Sequence, residues 1–417
     1  MRILWLKSDY IDPPDSGGKI RTYNLLRQLR QLCNVTYVSL KKPGGTGDDT
    51  APVSWASEVA TFAQPEESKE GWGIYARVLA RMLSSQPFIV QKYRSRGVRQ
   101  YQRRLRAARG DSPQWDGETV MVCDFLEMSG NVDWSLPCPK VLFQHNVESV
   151  IWRRYYENER NRLKKAYFWF EHRRLKRYES RACNRFDLVL AVSPEDKDLL
   201  QRELGVTAPV EVIETGVDLE YFAPPPEVAP VPGKLVFLGS LDWMPNIDGI
   251  DWFVREVYGR VKAACPQVTL DIVGRRPTAA IRALAEADSS IRIYGSVPDV
   301  RPYVTAADLF VVPLRIGSGT RLKIFEAMAM RSAIVSTTVG AEGLPVQDGR
   351  HLALADSAEA FAETIAALLA NPARKEALAR EAFDFVTANY SWKRVGRQFY
   401  DACLRAAEKR STESGRK

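Results

Sequence analysis

The segment from Lys234 to Val261, KLVFLGSLDWMPNIDGIDWFVREVYGRV, contains the pattern that decides the fold. It begins with KLVFL, an apolar run as continuous as those of parallel strands that are covered on both faces. After the loop at Gly239, apolar residues recur at the spacing of a helix with one buried side, namely at Ile247, Ile250, Phe253, Val254, Val257 and Val261. The segment therefore predicts one strand–loop–helix unit of an α/β sheet.

The same alternation extends in both directions along the chain. A second helical stripe consists of Leu25, Leu26, Leu29 and Leu32. Short runs rich in β-branched and aromatic residues predict further strands at Arg2–Leu6, Val35–Leu40, Glu58–Phe62, Thr119–Cys123, Lys140–Gln144, Asp187–Val192, Val268–Val273, Ile291–Tyr294, Leu309–Val312 and Ala333–Ser336. Strands that alternate with helices predict doubly wound parallel sheets.

The length of this α/β chain and a proline-rich run within it predict two domains. A chain of 417 residues is long enough for two domains, and the run FAPPPEVAPVPG at Phe222–Gly233 predicts a proline-stiffened linker. We therefore predict Rossmann-like domains at residues 1–221 and 234–391, followed at 392–417 by a helix over Trp392–Glu408 and a polar tail. Two such domains facing one another would bind ligands in the cleft between the carboxyl ends of their sheets.

Composition, at 45% hydrophobic and 26% charged residues, is that of a soluble globular protein. No apolar run approaches the roughly 18 residues of a membrane-spanning helix, and the start, MRILWLKSDY, is too short in its apolar core for a signal peptide. We therefore predict a cytoplasmic location. The six cysteines form no CxxC pair, and three histidines are too few for a histidine-rich metal site.

Positive charge is concentrated in two stretches of the chain. Residues 73–110 hold ten Lys or Arg and no acid, and residues 150–185 hold twelve Lys or Arg against four Glu. The second stretch predicts one long helix over Val150–Arg181, with a stripe at Trp152, Tyr156, Leu163, Tyr167 and Phe170. Basic amphipathic helices often lie on anionic membranes, although a solvated face over an aromatic core stripe fits equally well. Nucleic-acid binding is disfavoured, because stacking and groove-binding motifs are absent.

Three loops follow predicted strands and precede helices. In Ser16-Gly17-Gly18-Lys19, glycines let backbone amides approach a phosphate at a helix N-terminus, although a plain turn is an equal alternative. His145 follows the strand VLFQ, where it would either donate a hydrogen bond to a substrate or serve a structural role. In the loop Gly239–Asn246, the asparagine is a predicted N-cap.

The strongest candidate site is Gly317–Met330, GSGTRLKIFEAMAM. Its small-residue loop runs directly into a helix, an arrangement that suits anions. Arg321 and Lys323 place two cations in the first turn, where the helix dipole opposes them unless an anion binds. Glu326 is a carboxylate among apolar neighbours and needs a partner. A diphosphate on Lys323 would bring its ribose close to Glu326, although an internal Lys323–Glu326 ion pair is an alternative.

At these residues the sequence resembles the GT-B glycosyltransferases, specifically the retaining transferases of family 4. In detail it is similar to the sugar transferases of exosortase (PEP-CTERM) exopolysaccharide systems in bacteria. The resemblance covers nearly the whole chain and is strongest over Lys234–Ala355, in LVFLGSLDWMPNIDG, IRIYGSVPDV, ADLFVVPLRIGSGTRLKIFEAMAM and AIVSTTVGAEGL. It implies a GT-B fold, with a nucleotide-sugar donor held mainly by the C-terminal domain and an acceptor held by the N-terminal domain.

The resemblance also implies donor-binding roles in the C-terminal domain. Glu326 matches the second glutamate of the E-x7-E motif, which binds the donor ribose, whereas the first glutamate falls at Ser318. An arginine that many members carry after the first strand of this domain is also missing, since Ser240 stands there. The remaining candidate donor ligands of this segment are Gly319, Thr320, Arg321 and Lys323.

In the N-terminal domain, Gly17 and Gly18 match a glycine pair that contacts the donor phosphate or sugar. His145 matches a residue near the transferred sugar, which makes it the candidate catalytic residue. The helix Trp392–Glu408 would cross back onto this domain.

The resemblance implies a hexosyltransferase in which the acceptor attacks the sugar on the face from which the diphosphate leaves. It also implies that no protein nucleophile, metal or other cofactor takes part. The acceptor would be lipid-linked or an oligosaccharide, and the protein would contact the inner membrane face peripherally. A GT-B enzyme of different chemistry, such as a sugar-nucleotide epimerase or a phosphorylase, stays open, because the glycine loop and Glu326 do not exclude it.

Overall fold

The computed structural model describes residues 1–14, 16–41, 52–64, 84, 86–109, 119–159, 161–316 and 322–414. The chain forms two compact units, one of Met1–Thr215 with Val395–Lys417 and one of Gly216–Arg394. Each unit is built around a parallel β-sheet. The predicted α/β architecture of two Rossmann-like domains is therefore confirmed.

The described part of the first unit contains a seven-stranded sheet. Its strands are β1 (Arg2–Lys7), β2 (Asn34–Lys41), β3 (Glu58–Ala63), β4 (Thr119–Asp124), β5 (Lys140–Phe143), β6 (Leu188–Ala191) and β7 (Val210–Val212). All neighbours are parallel, in the order β3-β2-β1-β4-β5-β6-β7. The order reverses between β1 and β4, where doubly wound sheets bind ligands beyond the carboxyl ends of the strands.

Helices cover both faces of this sheet, because successive strand residues point to opposite sides. They are α1 (Gly17–Leu32), α2 (Phe88–Lys92), α3 (Arg96–Arg109), α4 (Glu148–Asn158), α5 (Arg162–Cys183) and α6 (Pro194–Asp198), with a 3₁₀ turn at Leu126–Asn131 and a π-helical turn at Leu199–Glu203. On one face, Leu4 and Met121 share an apolar cluster with Val98 of α3 and Leu175 of α5. Residues such as Trp5 point to the other face.

The described part of the second unit repeats the same topology with six strands. They are β8 (Lys234–Leu238), β9 (Thr269–Val273), β10 (Ile291–Tyr294), β11 (Leu309–Val312), β12 (Ile334–Ser336) and β13 (Ala353–Leu354). The parallel order is β10-β9-β8-β11-β12-β13, so the reversal lies between β8 and β11. This position corresponds to that between β1 and β4 in the first unit.

The helices of the second unit are α7 (Met244–Trp252), α8 (Gly259–Ala264), α9 (Ala279–Ala287), α10 (Arg301–Thr305), α11 (Leu322–Ala329), α12 (Ala358–Ala370) and α13 (Pro372–Tyr390). A π-helical turn at Phe253–Tyr258 joins α7 to α8, and a 3₁₀ turn spans Val339–Ala341. The apolar stripe predicted after Gly239 lies in the core of the second unit, since Ile250, Phe253 and Val257 are fully buried in the same cluster as Phe237.

The last helix, α14 (Trp392–Ser414), belongs to the first unit from Val395 onward. Phe399 is fully buried, and its ring lies 5.3 Å from that of Trp5 and 5.2 Å from that of Phe143. These contacts place α14 on the same side of the sheet as Trp5.

The boundary between the units differs from the predicted linker. It lies between Thr215 and Gly216, six residues before the end predicted for the first domain. The reason is that Val217 bridges to Ser391 and is buried in the core of the second unit, against which Phe222 also packs. The proline-rich run is therefore part of the second unit.

The single helix predicted over Val150–Arg181 is wrong. The chain forms α4 and α5 instead, and α5 starts after Asn161, whose side chain accepts hydrogen bonds from the amides of Leu163 and Lys164. The two helices pack through the ring of Trp152, which lies 5.9 Å from that of Phe168. Two short edge strands, β7 and β13, were not predicted, because three and two residues are too few to show a periodic pattern.

Candidate active site

The reversal point of the first unit holds a buried charged pair. Lys7 ends β1 and Asp124 ends the neighbouring β4, and Lys7 Nζ lies 3.1 Å from Asp124 Oδ2. Lys7 is 1% exposed and Asp124 is fully buried. Charges at such depth require partners, so these two residues define the polar centre of this edge of the sheet.

Asp124 accepts hydrogen bonds from three further side chains. Trp5 Nε1 donates to Oδ2 over 3.0 Å, Thr22 Oγ1 donates to Oδ2 over 2.6 Å, and His145 Nε2 lies 2.7 Å from Oδ1. Burial by itself raises the pKa of Asp124, but the Lys7 charge and the His145 and Thr22 contacts outweigh it, so that the pKa lies well below its usual value. The carboxylate is therefore ionised and joins α1 to β1, β4 and the segment after β5.

His145 follows β5, as predicted, but both of its ring nitrogens are engaged within the first unit. Nε2 contacts Asp124, and Nδ1 lies 3.4 Å from Arg21 Nη1. A carboxylate only accepts and a guanidinium only donates, so the ring carries its proton on Nε2. Burial lowers the pKa of His145 to about 4, against the opposing effect of Asp124. The predicted donation to a substrate therefore differs from the structure, in which the N–H of this neutral ring points at Asp124.

Phe125 shapes the glycine loop from the opposite side. It has a φ of 70°, an uncommon conformation for a large residue, and its ring stacks on His145 at 3.9 Å. A Cβ on Gly18 would lie 2.9 Å from Phe125 Cζ, whereas one on Gly17 would meet nothing within 4 Å. Close packing therefore explains Gly18, while Gly17 faces open space at the start of α1.

Arg21, one turn into α1, carries a buried cation. Its Nη2 donates to Thr215 Oγ1, while Nε is buried without a hydrogen-bond partner among the described residues. Burial lowers the pKa of Arg21 to about 10, although Asp124 and Asp196 oppose the shift. A desolvated guanidinium beside the N-terminus of α1 is an arrangement suited to an anion.

The reversal point of the second unit holds Lys323, in the first turn of α11. Its Nζ donates to the carbonyl of Leu238 over 2.9 Å, at the end of β8, and lies 3.4 Å from Asn246 Oδ1 and 4.5 Å above the ring of Phe237. Three contacts thus hold the ammonium group at the carboxyl end of β8.

The N-cap prediction for Asn246 is wrong, because α7 already begins at Met244. Asn246 is 3% exposed inside the first turn, and its Nδ2 donates to the carbonyl of Ser240 over 2.9 Å. A Cβ on Gly239 would lie 2.6 Å from that nitrogen. Asn246 therefore holds the loop after β8. Its side-chain amide packs so closely against residue 239 that only glycine fits there.

Glu326 lies on the one accessible face of α11. Leu322, Lys323 and Glu326 are partly exposed, whereas the remaining residues of the helix are buried. Burial raises the pKa of Glu326 to about 7, and the Lys323 charge opposes this shift. The open face of this helix therefore presents the Lys323 cation beside a carboxyl group with a raised pKa.

The other predicted donor ligands of this segment, Gly319, Thr320 and Arg321, lie outside the described residues, as does Ser318. The two remaining histidines contact backbone groups. His172 Nδ1 lies 2.9 Å from the carbonyl of Ser149, and His351 Nδ1 accepts from the amide of Gln347.

Sequence reasoning missed Lys7, Asp124 and Arg21. The available signal was that RILWLK and TVMVCD each end an apolar strand with a charged residue. Adjacent parallel strands bring their carboxyl ends together, but which strands are neighbours is known only from the sheet.

Comparisons with known proteins assign both parts of the chain. Residues 119–221 match the family model described as Glycosyltransferase Family 4, and residues 232–371 match the model described as Glycosyl transferases group 1. Among solved structures, HepE of Anabaena in complex with UDP aligns over 96% of this chain and 99% of its own, with a TM-score of 0.59 and 15% identity. This chain has the GT-B fold of glycosyltransferases.

Two curated relatives match parts of this GT-B chain. The lipopolysaccharide core biosynthesis mannosyltransferase LpcC of Rhizobium leguminosarum bv. viciae is 31% identical over 242 residues, 53% of this chain and 65% of that protein. An uncharacterised 44.6 kDa protein from the cps region of Klebsiella pneumoniae is 25% identical over 267 residues, 61% of this chain and 66% of that protein. The chain thus spans just under two thirds of each relative.

Two further features of the GT-B chain concern metals and membranes. Within the described ranges, no group of three or more His, Cys, Asp or Glu residues is arranged to hold a metal ion. In the same part of the chain, no helix has the length and apolar character needed to span a membrane.

Proposed function

We propose that this GT-B chain transfers a sugar from a nucleoside diphosphate sugar to an acceptor, with retention of configuration. The observation that carries the proposal is the open face of α11, on which Lys323 and Glu326 lie one turn apart beside the carboxyl end of β8. Ligands of doubly wound sheets bind at such ends. A diphosphate and a ribose are the neighbouring groups of a nucleotide sugar that suit a cation and a carboxylate.

On this proposal, the second unit holds the donor. Lys323 contacts the diphosphate as a fixed cation, and Gly319, Thr320 and Arg321, which directly precede α11 in the sequence, are the further candidate donor ligands. Glu326 accepts hydrogen bonds from the ribose hydroxyls. The complex of HepE with UDP, a protein of the same fold, supports a nucleotide donor.

In the first unit, we propose a further anion-binding position at Arg21 and the start of α1. Gly17 leaves room there for a phosphate or a sugar hydroxyl, and the Nε of the buried Arg21 guanidinium has no hydrogen-bond partner among the described residues. We assign His145 to the reaction as a positioning residue, because its Nδ1 accepts from Arg21 while Asp124 fixes the ring. Its neutral form leaves the Arg21 charge available for an anion.

The reaction needs no protein nucleophile. The acceptor oxygen bonds to the anomeric carbon on the face from which the diphosphate leaves, the bond to the diphosphate oxygen breaks, and the acceptor proton passes to the diphosphate. Charge therefore grows on the diphosphate, and preorganised cations stabilise such charge. Lys323 and Arg321 supply this stabilisation in a reaction that is independent of metal and of any other cofactor.

The acceptor we propose is lipid-linked, in an exopolysaccharide pathway at the cytoplasmic face of the membrane. The α4–α5 hairpin exposes Leu163 by 83%, Tyr155 by 53% and Trp169 by 43%. Arg162 and Lys164, the sequence neighbours of Leu163, are also exposed. Exposed aromatic and aliphatic residues among cations are typical of segments that enter an anionic membrane surface.

A donor screen tests the function. Purified protein is incubated with UDP-, GDP- and dTDP-sugars, with and without a membrane extract as acceptor source, and both nucleoside diphosphate release and product configuration are measured, with EDTA in a parallel series. We expect turnover with one donor class, unaffected by EDTA and lost in Glu326→Ala, while the exposed Glu256→Ala of the same unit keeps it. If no nucleotide sugar is bound or turned over, the proposal is wrong.

A further inference from the structure

A second site is suggested by a cavity of about 650 Å³ in the first unit. It lies between α3, the C-terminal half of α5 and the turn at Leu126–Asn131. Its lining includes five arginines, Arg99, Arg174, Arg177, Arg181 and Arg185. None of the described residues that line it is acidic. A cavity of this size, with five cations and no carboxylate among its described lining residues, is suited to a multivalent anion.

Helical spacing explains why the arginines converge. Arg174, Arg177 and Arg181 are three and four residues apart on α5, so they share one face of the helix, and Arg99 approaches from α3. Arg174 pairs with Glu171, the two lying 3.3 Å apart. Burial lowers the pKa of Arg99, and the neighbouring arginines on and before α3 lower it further. Positive charges from α3 and from α5 therefore converge on the cavity.

Aromatic residues give the cavity a defined wall. The guanidinium of Arg185 lies 4.0 Å above the ring of Trp134, an arrangement that orients the charged group. Opposite it, the hydroxyl of Tyr178 lies 2.9 Å from Ser129 Oγ. The ring of Trp134 packs in turn on Phe186 at 5.0 Å.

This cavity is separate from the candidate active site of the same unit. It lies on the face of the sheet where Val98 and Leu175 pack against Leu4. Lys7, Asp124 and their partners lie on the opposite face, because Lys7 follows Leu6 in the strand and alternate residues point to opposite sides. The five arginines therefore lie on the other face of the sheet from Asp124 and the partners that surround it.

We propose that the cavity binds a phosphate monoester or diphosphate group in addition to the donor. Guanidinium groups bind phosphate oxygens through paired hydrogen bonds, and a diphosphate carries several negative charges, which suits a cluster of cations. Residues 177 and 181 are about 6 Å apart along the axis of α5, a span that one diphosphate can bridge. The bound group is either a lipid headgroup or a free phosphorylated solute.

Calorimetric titration with inorganic pyrophosphate tests the site, with the full chain and with UDP in excess to occupy the donor site. In Arg177→Gln/Arg181→Gln, we expect the Kd to rise about tenfold or more, as losing two charged hydrogen bonds implies. The matched control is Arg173→Gln/Lys176→Gln, which removes the same charge from the same helix at residues that do not line the cavity. Equal binding in all three proteins, or equal loss in both variants, overturns the proposal.

A second measurement distinguishes the two sources of phosphate. Wild-type protein is bound to phosphatidic acid vesicles, whose headgroup is a phosphate monoester, and titrated with pyrophosphate, with phosphatidylcholine vesicles as the blank. Release by pyrophosphate that is absent in Arg177→Gln/Arg181→Gln supports the proposal and assigns a lipid headgroup. Pyrophosphate binding without release supports it and assigns a soluble ligand. Failure of UDP to bind would count against the proposed function alone, because the comparison of the variants does not depend on it.

Discussion

His145 Nε2 donates a hydrogen bond of 2.7 Å to Asp124 Oδ1, and both side chains are buried where the strand order of the first unit reverses. Asp124 also accepts from Lys7 at the end of β1 and from Thr22 on α1. The network therefore fixes the start of α1 to the sheet edge. A binding loop held in this way is preorganised, so less binding free energy is spent on ordering it.

Replacing Asp124 tests whether this network supports the fold of the first unit. Asp124→Asn leaves Lys7 buried without its carboxylate, and removing one partner of a buried ion pair costs about 3–5 kcal/mol. We expect the free energy of unfolding in urea to fall by that amount. The double variant Lys7→Met/Asp124→Leu should lose less than the sum of the two single variants, because both charges are removed together.

A matched control comes from the surface. Asp251 lies 2.7 Å from Arg255 in an exposed i,i+4 pair, and such pairs contribute about 0.3–0.5 kcal/mol. Asp251→Asn should therefore change stability by less than 1 kcal/mol. If Asp124→Asn lowers the free energy of unfolding as little as Asp251→Asn does, the network around Asp124 does not stabilise the fold of the first unit.

The pH dependence of stability should report on His145. Its pKa is lowered from 6.5 to about 4 by burial, so the unfolded chain binds more protons between these values. The free energy of unfolding contributed by His145 therefore rises from pH 4 to pH 6.5 and is lost as the pH falls through that window.

We expect His145→Asn to flatten the dependence between pH 4 and 6.5, measured by urea unfolding at several pH values. His172→Asn, a histidine on α5, should keep the wild-type slope, since His145 is intact. An unchanged slope in His145→Asn would show that this imidazole titrates alike in the folded and unfolded chains.

The raised pKa of Glu326 predicts that its contribution to stability depends on pH with the opposite sign to that of His145. Its pKa is raised from 4.5 to about 7 by burial, so the folded chain binds more protons in this window and stability falls as the pH rises through it. Glu326→Gln should therefore be more stable than wild type at pH 8, and the difference should shrink toward pH 5. Thermal melts at both values measure it, and a difference that is independent of pH contradicts the raised pKa.

The fold was predictable because its signals are local and repeated. The run KLVFL and the stripe after it define one unit, and eleven such strands were placed correctly from their own composition. The boundary between the units at Thr215 was not predicted, because Val217 joins the second unit through Ser391, a residue 174 positions away. Prolines mark where a sheet cannot continue, which is not the same as where a core ends.

The site was only partly predictable, for a related reason. Lys323 and Glu326 stand out because charges in an apolar helix need an explanation within a few residues. Lys7 and Asp124 acquire their meaning from strand neighbours 117 residues apart. His145 was found by its place after a strand, but its role depends on Asp124 and Arg21, which approach it only in the folded unit.

Membrane contact can be tested at the α4–α5 hairpin. Leu163→Ser/Trp169→Ser removes two exposed apolar side chains, and we expect sedimentation with phosphatidylglycerol vesicles to fall at least severalfold at low salt. Val231→Ser, which removes a 46% exposed apolar residue from the second unit, is the control. Binding should also weaken as salt rises, since exposed charges are screened. Equal sedimentation of both variants would exclude the hairpin as the membrane contact.

Replacing Lys323 tests whether its ammonium group contributes mainly to donor binding or mainly to the stability of the second unit. Its ammonium group contacts the Leu238 carbonyl and is partly exposed on α11, so Lys323→Ala removes one charged donor without opening a large cavity. We expect UDP affinity to fall by about 1.5–3 kcal/mol, the range for hydrogen bonds to charged groups, while the free energy of unfolding falls by about 1 kcal/mol. Calorimetry and urea unfolding measure the two effects, with Lys262→Ala, which breaks an ion pair to Asp288 in the same unit, as the control. A larger loss of stability than of UDP affinity would assign Lys323 to the structure of the loop after β8 rather than to the donor.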